Sequence, residues 1–219
     1  PANATVENEL FPQIQKTHRL SEPEKKSPGS LNLWEANGSL LMSTLKPMAD
    51  WFGGLPQVIL MDLDGTLVDS AADIALSLNR ALADLGLGAV TEAQVRDWVG
   101  RGAARLIEVA LQHVVPHHAQ DPQRHAVEAR LLAAFMTRYQ DSVCEASTVY
   151  PGVAEFVAAA RTAGIRLACV TNKPYRPAVA LLEALNLLDA FELVIGGDTL
   201  AHKKPHPEPL LHCLRHFEV

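Results

Sequence analysis

Cysteine is scarce in this chain. There are three in 219 residues, Cys144, Cys169 and Cys213, an odd number, far apart and without a CxxC pair. That scarcity excludes a disulfide framework and a cysteine-rich zinc site, and it makes a reducing cytoplasm the expected compartment. Long apolar runs are missing too. None approaches the ~18 residues that a membrane-spanning helix requires, and the N-terminal region shows no apolar stretch of the secretory type. Basic charge is in deficit, with 19 Lys and Arg against 25 Asp and Glu, a formal net charge of −6. A nucleic-acid partner needs a basic face and is not expected. A small anion, which needs only a few local donors, remains open.

What is present is a core-forming composition, 48% hydrophobic, enough for one medium domain with an insert. Residues 1–54 are set apart from the rest. Ser21-Glu22-Pro23-Glu24-Lys25-Lys26-Ser27-Pro28-Gly29-Ser30 is polar and proline-bearing and cannot bury enough surface to order itself. Disorder is expected over 1–30 and weak order over 31–54, where Trp34, Leu40, Leu41, Trp51 and Phe52 offer local docking. The chain opens on Pro1 rather than methionine, with Met42 and Met48 as alternative starts, and stops at Val219 just after a helical pattern. A fragment is expected, at least at the C-terminus.

From Leu55 the pattern is regular. A buried strand is expected over 57–62, then a helix over about 70–85 with Ile74, Leu78, Leu82 and Leu85 on one stripe. Thr91-Glu92-Ala93-Gln94 is a capping box that starts the next helix. Gly100-Arg101-Gly102 interrupts the helical periodicity, and Asp121-Pro122 opens a long helix to about Asp141. Strand and helix then alternate: a helix over 153–163, a strand over 165–170, a helix over 176–187, a strand over 191–195 and a last helix from near Pro207. Strands separated by helices imply parallel crossovers, hence an α/β, Rossmann-like sheet. The purely helical stretch 71–149 reads as a helical cap inserted into a core made of 55–70 and 150–219.

Parallel strands bring their C-terminal ends to one edge, where ligands bind in open α/β sheets. Asp62, Asp64 and Thr66 follow the first strand, Thr171, Asn172 and Lys173 the second, and Asp198, Lys203 and Lys204 the third. Two carboxylates, a hydroxyl, an amide and an ammonium suit phosphoryl transfer. One carboxylate attacks phosphorus, the other exchanges a proton with the leaving group and with water, and the remaining groups hold the phosphoryl oxygens. A carboxylate facing a phosphate dianion calls for a divalent cation, and Mg²⁺ suits oxygen ligands. The Lys-Pro-x-Pro pattern favours Lys204 over Lys203 as the positioned ammonium. Arg101, between two glycines of the cap, either reaches the carboxylate of a small acid or is a surface arginine. Trp98 is expected to pack in the cap. His212 and His216, with Cys213 beside them, lack the further converging ligands of a zinc site.

Asp62-Leu63-Asp64-Gly65-Thr66-Leu67-Val68-Asp69-Ser70, Val170-Thr171-Asn172-Lys173 and Lys204-Pro205-His206-Pro207 resemble the first three motifs of the haloacid dehalogenase-type phosphatases, over about residues 57–219. Trp98-Val99-Gly100-Arg101-Gly102-Ala103, Val149-Tyr150-Pro151-Gly152, Thr171-Asn172-Lys173-Pro174 and Gly196-Gly197-Asp198-Thr199-Leu200 look like the members of that family that act on 2-phosphoglycolate. The resemblance implies Asp62 as nucleophile and Mg²⁺ ligand, and Asp64 as general acid and base that gives the metal its backbone carbonyl. It implies Thr171 and Lys204 on the phosphoryl oxygens, with Thr66 and Asn172 in the binding set. It further implies a small phosphorylated acid as substrate, with other sugar-phosphate phosphatases or a phosphoglucomutase-like enzyme as the nearest alternatives. A true dehalogenase would leave Asp64 without a role. The family's fourth motif, a Gly-Asp-Ser followed by another Asp after a fourth strand, is absent up to Val219. The expectation is therefore a core of about three strands with an incomplete metal site and an open edge on the first strand, and an inactive fragment is the other reading. Oligomeric state is not legible.

Overall fold

Four apolar residues in a row, Val58–Met61, form β1 and begin the sheet. In the computed structural model, which describes residues 43–115 and 117–219, a helix over 43–52 (α1) precedes it. The leader expected to be disordered over 1–30, and Trp34, Leu40 and Leu41, lie outside the described residues. In α1, Leu45 is buried and Met48 packs against the sheet core. Trp51 and Phe52, expected to dock, are instead 87% and 71% exposed. They lie just before Gly53 and Gly54, both at positive φ, and rest edge to face on one another.

Two further strands complete the sheet: β4 (Arg166–Val170) and β5 (Leu193–Ile195). Between β1 and β4 the chain runs through β2 (Val68–Asp69), α2 (Ala71–Asp84), α3 (Glu92–Trp98), α4 (Ala103–Val114), α5 (Arg124–Asp141), β3 (Thr148–Val149) and α6 (Val153–Thr162). Helix α7 (Tyr175–Ala184) links β4 to β5, and α8 (Glu208–Phe217) follows. The sheet order is β1-β4-β5, all parallel, with Met61 opposite Cys169 and Val170 opposite Ile195. The three strands therefore end along one rim, as the alternation predicts. Among the described residues β1 has no partner on its other side.

Both faces of β4 are covered, which explains its unbroken apolar run. Leu167 and Cys169 face a core shared with Leu63, Leu67, Val157 and Leu181, under α6 and α7. Ala168 and Val170 face Cys213 and Phe217 of α8. Burial pushes the Cys169 thiol up to about 12, with the Asp62 and Asp64 carboxylates adding to the effect. This cysteine is therefore packing, not a nucleophile.

The cap has its own apolar core. Ile74, Leu78 and Leu82 of α2 meet Leu106 and Leu111 of α4 and Phe135 of α5. The capping box is as the sequence predicts: Gln94 N–H donates to Thr91 Oγ1, and Gln94 Oε1 accepts from Thr91 N–H. Helix α5 starts later than expected, at Arg124, because the Asp121 side chain takes Gln123 N–H and forms a turn first. The insert is also not purely helical. β2 and β3 form an antiparallel two-residue pair, Val68 opposite Val149 and Asp69 opposite Thr148. Two-residue strands carry no periodicity, so only their distant pairing reveals them. No described helix is long and apolar enough to cross a membrane.

Candidate active site

The loop after β1 is built around one buried residue. Leu63 has no exposure, and its carbonyl accepts from the N–H groups of Thr66, Leu67 and Val68. Gly65, at φ +80°, lets the chain reverse there. With Leu63 anchored inward, Asp62 and Asp64 flank it at the rim.

Each carboxylate is fixed through one oxygen. Asp62 Oδ1 accepts from Leu63 N–H at 2.8 Å and lies 3.0 Å from Lys204 Nζ. Asp64 Oδ1 accepts from Ser70 Oγ and from Lys173 Nζ, the latter at 2.8 Å. Among the described residues no hydrogen bond goes to either Oδ2. Lys204 is itself aimed by donating to the Val170 carbonyl at the end of β4. The two ammonium groups balance the two carboxylates.

The second loop is held to the third strand and to the cap. Thr171 N–H donates to Ile195 O, and Thr171 Oγ1 accepts from Lys173 N–H. Asn172 Nδ2 donates to two carbonyls at 3.0 Å each, Gly100 of the cap and Lys204 of the third loop. The loop after β5 presses so closely here that a Cβ on Gly197 would fall 2.4 Å from the Asn172 carbonyl oxygen. Lys173 is buried, its ammonium 4.6 Å from the centre of the Tyr139 ring of α5. Burial alone would pull its pKa down. The Asp64 carboxylate, and after it Tyr139, outweigh that and hold it above the ordinary lysine range.

Asp62, Asp64, Thr171 and Asn172 thus line one cleft between sheet rim and cap, with Lys204 Nζ on Asp62. Lys203, the rival lysine, makes no such contact and is exposed. Thr66 and Arg101 are exposed and lie outside the cleft lining. Three residues in this cluster carry no role in the sequence reading. Ser70 and Lys173 sit inside the motifs, so their positions were visible but their inward direction was not. Tyr139 had no signal, since it lies on a long helix whose orientation only tertiary packing sets. His216, by contrast, pairs with Glu192, 3.2 Å away.

The model of the haloacid dehalogenase-like hydrolase family matches residues 59–219. The chain belongs to the haloacid dehalogenase-like hydrolases. It is 42% identical over 164 residues to a phosphoglycolate phosphatase of Nitrosococcus oceani, covering 75% of this chain and 71% of that protein. A phosphoglycolate phosphatase of Colwellia psychrerythraea is also 42% identical, over 74% of this chain and 71% of its own length. Among solved structures, a predicted phosphoglycolate phosphatase from Haemophilus somnus superposes with a TM-score of 0.66 at 33% identity, covering 74% of this chain and 72% of that one. CbbY from Rhodobacter sphaeroides, solved with phosphate, gives 0.61 at 28%, covering 75% and 74%. The parallel three-stranded sheet with a helical insert after the first motif is this family's fold in the present hydrolase.

Proposed function

We propose that this hydrolase is a Mg²⁺-dependent phosphomonoesterase acting through an aspartyl-phosphate on a small phosphorylated acid, 2-phosphoglycolate first among candidates. The observation that carries the reading is the paired anchoring of Asp62 and Asp64. Each is pinned through Oδ1 beside an ammonium, with Oδ2 left for chemistry. The names of the relatives support the substrate class.

Asp62 Oδ2 attacks phosphorus, the bond from phosphorus to the ester oxygen breaks, and an acyl phosphate forms on Asp62. Asp64 takes up the proton of the monoanionic ester as it binds and gives it to the leaving alkoxide. In the second half Asp64 takes a proton from water as that water attacks phosphorus, which releases phosphate and restores Asp62. Lys204 and the Thr171 hydroxyl hold the phosphoryl oxygens as charge shifts onto them, and Asn172 ties their loops together. The cap excludes bulk water during the first half.

The donors present fit part of the shell of a divalent cation. With both aspartates ionised the two lysines already cancel them, so a bound phosphate ester brings uncompensated negative charge. Asp62 and the Asp64 backbone carbonyl would hold Mg²⁺, whose charge offsets the substrate's and polarises its phosphoryl oxygen. The same reading divides the chain into a core of 55–70 and 150–219 and a cap of 71–149, with a cytoplasmic setting suited to three free cysteines.

Asp62→Asn is the test, because an amide is a poor nucleophile toward phosphorus. Hydrolysis of 2-phosphoglycolate with Mg²⁺ should fall by about a thousandfold or more, ~4 kcal/mol of barrier, with an unchanged circular dichroism spectrum. Retention of a tenth of the rate would remove Asp62 from this role. A panel of sugar phosphates beside 2-phosphoglycolate separates the sugar-phosphatase alternative.

A further inference from the structure

The cap side of the cleft poses a chemical puzzle. It is lined by apolar side chains, among them Ile74, Leu106, Phe135 and Met136, yet the proposed substrate carries a carboxylate there. The sequence's candidate for that carboxylate, Arg101, is exposed and outside the lining.

Three features of the same cleft do offer polar partners. The N-terminus of α4 opens into it, since Gly102 and Ala103 are lining residues. This helix has 12 residues and no side-chain cap, whereas α3, its predecessor, is fully capped by Thr91. Its first N–H groups and positive dipole end are therefore available to an anion. The second feature is Tyr139. Its ring is buried at 2% exposure, and its hydroxyl has no hydrogen-bond partner. Lys173 lies over the ring at 4.6 Å from its centre. The third is Asn172, 9% exposed, whose Oδ1 is also unpartnered. Its amide cannot turn to relieve this without losing the two bonds from Nδ2 to Gly100 O and Lys204 O. Buried polar atoms without partners are costly, and the two residues that carry these are lining residues of the cleft that α4 points into.

Resting on the phosphatase reading above, we propose that the free N–H groups at the start of α4 and the Tyr139 hydroxyl together form the subsite for the substrate's carboxylate. The phenol donates to one carboxylate oxygen and the helix terminus to the other. Asn172 Oδ1, a pure acceptor, then faces the hydroxyl of the alcohol that hydrolysis releases. The ligand class is a short α-phosphorylated acid. The apolar walls leave a longer polyhydroxylated chain without partners.

The experiment compares 2-phosphoglycolate with ethyl phosphate, which has the same length and no carboxylate, both with Mg²⁺. Tyr139→Phe deletes only the hydroxyl. Ala103→Pro deletes one N–H at a first-turn position where proline fits a helix. In each variant the preference for the acid, as a ratio of kcat/KM values, should fall about tenfold or more, as expected for losing a hydrogen bond to a charged group. The ratio is the readout, not either rate alone, because Tyr139 also lies against Lys173. Circular dichroism and Tm identify a variant that has misfolded, and the other one then decides.

An unchanged ratio in the folded variants overturns the proposal. So does loss of the preference in Arg101→Ala alone. Wild-type protein that hydrolyses both esters equally overturns it while leaving the phosphatase reading intact. Wild-type protein that hydrolyses neither defeats the phosphatase reading, and calorimetry on the same two ligands then decides the subsite. Tighter binding of the acid, lost in Tyr139→Phe, upholds it; equal binding ends it.

Discussion

Lys173 keeps its charge where water barely reaches, at 4% side-chain exposure, because Asp64 sits 2.8 Å away. Buried charges persist only when paired and hydrogen-bonded, and here the pair also orients a residue proposed for proton transfer. The sequence showed Lys173 inside Thr171-Asn172-Lys173 but gave no reason to prefer it over a solvated lysine. Direction of a side chain at a strand end depends on what packs around it, and Tyr139 comes from a helix more than thirty residues earlier. Asp62 and Asp64 were legible for the opposite reason, since their spacing after an apolar run is a local property. A second charged cluster makes a prediction at the same scale. The Arg166 guanidinium, hydrogen-bonded to Glu192, holds that carboxyl below its ordinary 4.5 against the opposing effect of burial. A depressed carboxyl stabilises the fold above its unfolded value, and that contribution is lost as pH falls through the folded one. Glu192→Gln should therefore cost ~1 kcal/mol at neutral pH, as befits a half-exposed pair. The Tm gap to wild type should stay level above the ordinary carboxyl value of 4.5 and close as pH falls below it. A gap that persists in acid would assign the cost to packing.

At the scale of elements, the neck of the cap depends on Asp73, which has no exposure. Its carboxylate, on the first turn of α2, accepts from the N–H groups of Ala146 and Ser147 and from the Ser147 hydroxyl. That clasp holds the returning strand β3 in register with β2. Asp73→Ala strands the buried N–H and hydroxyl of Ser147 and frees the more exposed Ala146 N–H, and should cost about 3 kcal/mol, measured by urea denaturation. Asp73→Asn keeps acceptor capacity and should cost less, and equal losses in the two would mean that the acceptor pattern is not what matters. Helices α2, α3 and α4 were readable from spacing, caps and glycines, all of which act within a few residues. β2, β3 and the Asp73 clasp were not. Their partners lie about eighty residues away in the chain, and an aspartate at a helix start reads simply as a favourable charge at the dipole.

At the scale of the molecule, the cap's apolar core and the sheet core under α6 and α7 lie on either side of a polar seam. Asn172 bridges that seam by donating to Gly100 O on one side and Lys204 O on the other. Asn172→Ala should loosen the cap from the core without unfolding either. Amide exchange over 99–103 should quicken while β1 and β4 keep their protection. Uniform loss of protection would mean that the seam and the cores open as one unit. The fold class and the strand ends followed from the alternation of strand and helix. The closeness of cap to core did not, because contacts across a cleft leave no periodic trace. The excursion from sheet to cap leaves at Val68 and returns at Val149, two residues that lie side by side. A segment whose entry and exit are adjacent behaves like a cartridge. The neck itself needs only two adjacent strand ends, so it sets no limit on the length or shape of what it carries.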